Sequence, residues 1–153
     1  MSVVTSEIEI EQKPSITFRV AREVEKYPSF MPNVVSVEVL ERREDGYSKV
    51  RWVARVQVAS LDKQIKWVEE EYWNESELSS RFSLLEGDYT HYRGEWKFIP
   101  TERGTHVSLT VDYDLGLPLI GPLIGKLLDK LMKDNLDGML KAIKERAEST
   151  PSS

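Results

Sequence analysis

Five short turn signals between Val34 and Tyr113 constrain this chain more than any other feature, because they fix which side of a sheet each large side chain occupies. They are Asp45-Gly46, Leu61-Asp62, Glu75-Ser76, Glu86-Gly87-Asp88 and Arg103-Gly104. Alternating runs joined by such turns make an antiparallel meander, and register then follows by counting. Asp45-Gly46 as a two-residue turn sets Val39 opposite Trp52 and Val37 opposite Ala54. The second turn sets Trp52 opposite Glu71 and Val56 opposite Trp67; the third sets Trp73 opposite Leu78, Glu69 opposite Phe82 and Trp67 opposite Leu84. The last two bring Phe82 near Tyr92, Leu78 near Trp96, Trp96 near Leu109 and Phe98 near Val107. All the turns agree on one inner face. It collects the four tryptophans, Trp52, Trp67, Trp73 and Trp96, with Phe82, Phe98, Tyr92, Tyr113 and two carboxylates, Glu69 and Glu71. A curved sheet with that much aromatic surface inside must be plugged by another element or hold a ligand.

The plug is legible at the other end of the chain. From Pro122 to Glu148, Leu123, Ile124, Leu127, Leu128, Leu131, Met132, Leu136, Met139, Leu140 and Ile143 recur by threes and fours, with Lys126, Asp129, Lys130, Lys133, Asp134, Lys141 and Lys144 opposite. A stripe that wide must be buried. The one large apolar surface left for it is the inner face of the sheet, and a helix of about 27 residues spans roughly 40 Å, enough to cross it. Upstream, Ile8 and Ile10 alternate with Glu7, Glu9 and Glu11 in a first strand from Thr5 to Glu11. Pro14-Ser15 then opens a short helix, Ser15 its candidate cap, with Ile16, Val20, Ala21 and Val24 at helical spacing. Pro28 stops that helix by Lys26. Tyr27-Pro28-Ser29-Phe30-Met31-Pro32 is a break or single turn, read as a corner packed on the end of the sheet. The fold class expected is α+β: a strongly curved antiparallel sheet of about seven strands wrapped on a long C-terminal helix, with two short N-terminal helices.

Composition narrows the chemistry. The 153 residues suit one domain, read as residues 1–148 with a disordered polar tail at 149–153. Without cysteine there is no disulfide, thiolate or sulfur-ligated metal. A net charge of -5, with basic residues scattered among acidic ones, argues against nucleic-acid binding. The first residues lack a basic start and apolar core, giving a cytoplasmic expectation.

The order strand, helix, Tyr-Pro-Ser-Phe-Met-Pro, meander and long terminal helix resembles the START-related superfamily with the birch-pollen-allergen (helix-grip, SRPBCC) fold. More narrowly, it resembles the polyketide cyclase/dehydrase and coenzyme Q-binding protein branch. The residues that carry the resemblance are Glu25 to Pro32, Leu85-Glu86-Gly87-Asp88-Tyr89 with Gly94-Glu95-Trp96-Lys97-Phe98, and Gly104-Thr105-His106-Val107 before the terminal helix. The stretch Lys13-Pro14-Ser15-Ile16-Thr17-Phe18 departs from relatives, which usually place alanine before the proline and an acidic residue soon after it. The resemblance implies a cavity between sheet and helix for a hydrophobic ligand: a polyprenyl quinone, fatty acyl chain, sterol or aromatic polyketide. The residues expected to contact it are Trp52, Trp67, Glu69, Glu71, Trp73, Phe82, Tyr92, Trp96, Phe98, Leu109, Tyr113, Leu127 and Leu131.

Glu69 and Glu71 are the sharpest individual signal. Two apart on one strand, they point the same way with side-chain origins about 6 to 7 Å apart. Among Trp52, Trp67 and Phe82 they repel each other in a desolvated place, which raises at least one pKa. Such an acid can hydrogen-bond a quinone or phenol oxygen, or transfer protons in an aldol cyclisation and dehydration. The plain alternative is a bulge within Glu69-Glu70-Glu71, or a wet rim, that leaves both acids outside. Tyr92 and Tyr113 are the candidate hydroxyl donors. Glu69, Glu71 and Tyr92 are the catalytic candidates if the protein is an enzyme.

Other chemistries find no footing. His91 and His106 point away from the inner face, so no metal is expected. No nucleophile elbow, phosphate loop or dinucleotide fingerprint is present, and no cofactor is expected. Leu115 to Gly125, uncharged with glycines at 116, 121 and 125 and prolines at 118 and 122, is too short to span a bilayer. It reads either as a lid that touches a membrane surface, weakened by aspartate at Leu119 and Ile120, or as a buried connector. The function expected is a non-enzymatic carrier or chaperone of a hydrophobic small molecule. An aromatase/cyclase-type enzyme is the alternative. A ribosome-associating toxin is a further one, disfavoured because Lys126, Lys130, Lys133, Lys141 and Lys144 are interleaved with Asp129, Asp134 and Asp137.

Overall fold

A computed structural model describes residues 2–58, 61–116 and 122–151. Alternation at the N-terminus makes β1 (Ser2–Ile10), longer at its start than the sequence pattern indicates. Helix α1 (Pro14–Arg22) follows, then a 3₁₀ helix (Val24–Ser29) containing Pro28. Ser15 is not the cap: Lys13 occupies that position, with no side-chain cap bond, and Pro14 in the first turn starts the helix. The meander is β2 (Val34–Arg42), β3 (Tyr47–Val58), β4 (Leu61–Asn74), β5 (Ser79–Gly87), β6 (His91–Pro100) and β7 (Thr105–Asp114). Helix α2 runs Pro122–Glu148, the bounds the apolar stripe indicates. The sheet has 7 strands in the order β1-β7-β6-β5-β4-β3-β2, all pairs antiparallel.

Register departs from simple counting in four of the five hairpins, and in each the cause is local. Between β2 and β3, bulges at Val34/Ser36 and Val39/Glu41 pair Val39 with Val50 and Val37 with Trp52. Between β3 and β4 the expected turn residues Leu61 and Asp62 belong to the ladder, opposite Val58 and Gln57, so Trp52 faces Trp67 and Val56 faces Lys63. The β4–β5 turn spans Glu75 to Leu78 rather than two residues, with Leu78 at φ 51°, and pairs Trp73 with Ser80, Glu71 with Phe82 and Glu69 with Leu84. Next, Phe82 and Ser80 face Gly94 and Trp96. The β6–β7 pairing is as counted: Trp96 with Leu109 and Phe98 with Val107. Between the bulges the displacement is two or four residues, and side chains alternate with period two, so the inner face survives; odd offsets appear beyond the bulges, as at Val34/Ala54, Glu41/Lys49 and Val68/Glu86.

Helix α2 lies across this face, and its C-terminal half is docked firmly. Leu136, Leu140, Ile143 and Ala147 are buried, Ser6 Oγ donates to Asp137, and Lys144 Nζ donates to the Glu9 carbonyl at 2.8 Å. Gln12 Nε2 caps the end, donating to the carbonyls of Ala147 and Thr150 at 3.1 and 2.9 Å. Ser149 and Thr150, assigned by sequence to a loose tail, are hydrogen-bonded into this last turn. Phe18 of α1 closes the same end of the sheet, edge-on to Trp73 and Phe98 at 5.6 and 5.3 Å.

Candidate functional site

Between the sheet and the stretch of α2 from Leu128 to Met139 the packing stops, leaving a cavity of about 270 Å³. Its walls are rings: Trp52 stacks on Trp67 at 5.9 Å, Tyr89 and Tyr92 lie 4.5 Å apart, and each is 5.2 Å from Trp67. Trp73, Trp96, Phe82, Tyr27 and Tyr113 complete the aromatic lining. Indoles of this size cannot interdigitate with a leucine stripe unless a side chain fills each gap. At Gly138, on the helix, no side chain is supplied: a Cβ built there meets no atom within 4 Å. Among the described lining residues, the solvent-exposed ones are Pro32, Asn33, Asp134 and Gly138, which therefore mark the mouth. Asn33 Nδ2 donates to Asn135 Oδ1 across it at 2.9 Å.

Both acids of β4 face inward, 3% and 2% exposed. The irregularity in this ladder lies between Val68 and Glu69, where the partner strand accommodates the extra residue Leu85 and β4 keeps its alternation. The two acids satisfy the indoles around them. Trp67 Nε1 donates to Glu69 Oε1 at 2.7 Å, Trp73 Nε1 to Glu71 Oε1 at 2.9 Å and Trp52 Nε1 to Glu71 Oε2 at 3.3 Å. Burial, the neighbouring Glu71 charge and a hydrogen bond to Glu71 hold the Glu69 carboxyl well above the usual range. Burial also raises Glu71, but the bonds from Glu69, Trp73 and Trp52 favour its charged form. Burial thus makes the pair retain protons into a higher pH range, Glu69 more strongly than Glu71.

The tyrosines divide into anchors and free groups. Tyr27 donates to the Ala21 carbonyl, tying the 3₁₀ helix to α1, and Tyr113 donates to Asp129 Oδ1 at 2.6 Å, tying β7 to α2. The hydroxyls of Tyr89 and Tyr92 have no hydrogen-bond partner among the described residues, though both rings line the cavity. Burial, then the charge of Glu69, raises both pKa values, so both are neutral donors.

Of the residues expected to meet a ligand, Trp52, Trp67, Glu69, Glu71, Trp73, Phe82, Tyr92, Trp96, Leu109, Tyr113 and Leu131 line the cavity. Phe98 and Leu127 do not. Phe98 is packed against Phe18 and Trp96, and Leu127 is 37% exposed on the outer side of the helix. Counting registers missed Tyr27 and Met31, which place the proline-bracketed corner in the cavity wall, and Tyr89, which belongs to no strand. Their signal was large apolar or aromatic side chains beside turn formers, a place where surface loops normally carry small polar groups. His106 bonds Glu9 and Glu7 on β1, and His91 Nε2 lies 3.3 Å from Asp112 Oδ2, far from each other in register. Of the proposed lid, residues 117–121, including Leu119 and Ile120, lie outside the described residues.

A model of the family described as polyketide cyclase/dehydrase and lipid transport matches residues 10–140. The chain belongs to that family. The Thermus thermophilus protein TTHA0849 shares 38% identity with it, over 95% of this chain and 97% of that one, with a TM-score of 0.86. The Zhui aromatase/cyclase of a Streptomyces species is 21% identical over 96% and 93% of the two chains, TM-score 0.83. A START superfamily protein of Mycobacterium smegmatis is 21% identical over 95% and 97%, TM-score 0.79. These last two establish the shared helix-grip fold. Among curated protein sequences none matches the chain. The family match and these neighbours make this a helix-grip protein. No described helix is long and apolar enough to cross a membrane.

Proposed function

We propose that the protein is a carrier or chaperone for one hydrophobic small molecule, with the ring of a polyprenyl quinone or a comparable lipid enclosed and its chain leaving through the mouth. The observation that supports this most is the aromatic hollow of about 270 Å³ opening beside Gly138. An apolar cavity of about 150 Å³ accepts one benzene ring, so this one suits a bicyclic or substituted ring but not a whole polyprenyl chain. Leu123, 71% exposed, and Leu127 stand at the start of α2, next to the Leu115–Gly125 stretch, and offer an apolar surface for transient contact with a membrane. A transfer assay tests the reading: a short-chain quinone should pass from donor to acceptor vesicles faster with the protein than without it. Leu123→Asp with Leu127→Asp should slow transfer and leave binding in solution unchanged. No acceleration by the wild type would refute the carrier role.

The acid pair supports a second reading, an aromatase/cyclase-type enzyme. Glu71 would take a proton from the carbon beside a ketone, and the Tyr89 and Tyr92 hydroxyls would hold the resulting enolate oxygen. Loss of turnover of a poly-β-ketone in Glu71→Gln, with affinity kept, would favour it over the carrier. The ribosome-associating alternative has little support, because Lys130, Lys133 and Lys144 are engaged by Asp134, Asp137 and Glu148.

A further inference from the structure

The polar groups inside the hollow are unequally spent, and that inequality specifies the head group of the ligand. The acceptors are largely used: Glu69 Oε1 and both oxygens of Glu71 each receive an indole N–H. The donors are not. Tyr89 is 8% exposed and lines the cavity, yet among the described residues nothing accepts its hydroxyl proton, and the same holds for Tyr92 beside it. Both rings line the hollow and neither hydroxyl oxygen is among the buried unpaired atoms, so each stays open to water or to an acceptor that a ligand supplies.

Charge narrows the acceptor further. No lysine, arginine or histidine is among the described lining residues, and the acid pair carries the only buried charge there. A carboxylate or phosphate head would bring a second negative charge into a desolvated place with nothing to balance it. A cationic head would have to compete with the three indole N–H donors already on the carboxyl oxygens. The complementary group is a neutral acceptor.

Resting on the reading of the hollow as a ligand site, we infer that it selects ligands bearing a neutral carbonyl oxygen on a ring, held by Tyr89 and Tyr92, and rejects carboxylates of the same size. Fatty acids are then excluded from the candidates, and ring ketones and quinones are retained. Four probes built on one bicyclic ring test this by isothermal titration at neutral pH: 2-acetonaphthone, 2-naphthoate, 2-naphthylmethylammonium and 2-methylnaphthalene. The ketone is expected to bind at least about tenfold more tightly than the carboxylate and more tightly than the ammonium. Replacing both tyrosines, Tyr89→Phe with Tyr92→Phe, keeps the rings and should cost the ketone about tenfold to thirtyfold, with methylnaphthalene unaffected. Equal or tighter binding of naphthoate, tightest binding of the ammonium, or an unchanged ketone affinity in the double variant would overturn the head-group assignment. Failure of methylnaphthalene as well would instead overturn the ligand site itself, and the head-group assignment with it.

Discussion

The two halves of α2 carry the same leucine-rich spacing and meet opposite surroundings. In the second half Leu140, Ile143 and Ala147 are buried against β1, α1 and the closed end of the sheet. In the first half Leu123 and Leu127 are exposed, Leu131 and Met132 are half-buried, and Leu131 faces empty volume. Amphipathic periodicity says that a helix face meets something apolar; it does not say whether that surface is filled. What separates the halves is what lies opposite: β1 and α1 meet the last turns around Leu140, Ile143 and Ala147, while the hollow runs along α2 from Leu128 to Met139, and Gly138 leaves its rim short of atoms.

That contrast predicts unequal penalties. Ile143→Ala should cost about 2–5 kcal/mol in urea unfolding, because it opens a cavity in a closed region. Leu131→Ala should cost less than about 1 kcal/mol, since its neighbours already border a void. Equal losses would mean that the first half is as solid as the second. Gly138→Leu probes the contrast from the other side. It should weaken binding of methylnaphthalene by about tenfold or more, and it should raise stability by up to about 1 kcal/mol, because a helix-interior glycine is unfavourable by roughly that amount. Loss of folding would show that the space beside Gly138 is already occupied.

The acid pair gives the next effect its sign. Burial and Glu71 raise the Glu69 carboxyl above its unfolded value, so over the window from about pH 4.3, the unfolded glutamate value, upward to the raised one, the folded state holds more protons. Stability must therefore fall as pH rises through that window. Glu69→Gln should flatten the slope, so the variant gains on the wild type as pH rises above the unfolded glutamate value. Parallel curves would show that Glu69 is not the group holding the proton. The smallest effect belongs to the outer face. His106, hydrogen-bonded to Glu9 and Glu7, should titrate above the usual histidine value by NMR, and the stability it adds is present below that usual value and lost as pH rises. Glu9→Gln should bring it back down with no change in ligand binding.

Face assignment was legible in the sequence because side-chain direction depends only on parity, and between the bulges the register is displaced by two or four residues. Actual partners were less legible: that Leu61-Asp62 continues a ladder and that Leu78 turns with positive φ depend on long-range pairing. The inward acids could be placed by counting, but their stable arrangement could not, because it depends on three indole N–H groups converging from different strand positions. Tyr89 and Met31 reach the cavity from outside regular elements, where no periodicity reports direction. Gly138 reads in sequence as a mild flaw in a helix, and its consequence, unfilled volume, exists only once the sheet is opposite it.

Native mass spectrometry of freshly purified protein, followed by solvent extraction, tests the occupied-hollow account most directly. The 17.7 kDa chain should fly with one apolar, uncharged-headed molecule attached, released by extraction and missing from Gly138→Leu. A bare chain under gentle conditions that also takes up no added bicyclic ring would contradict it.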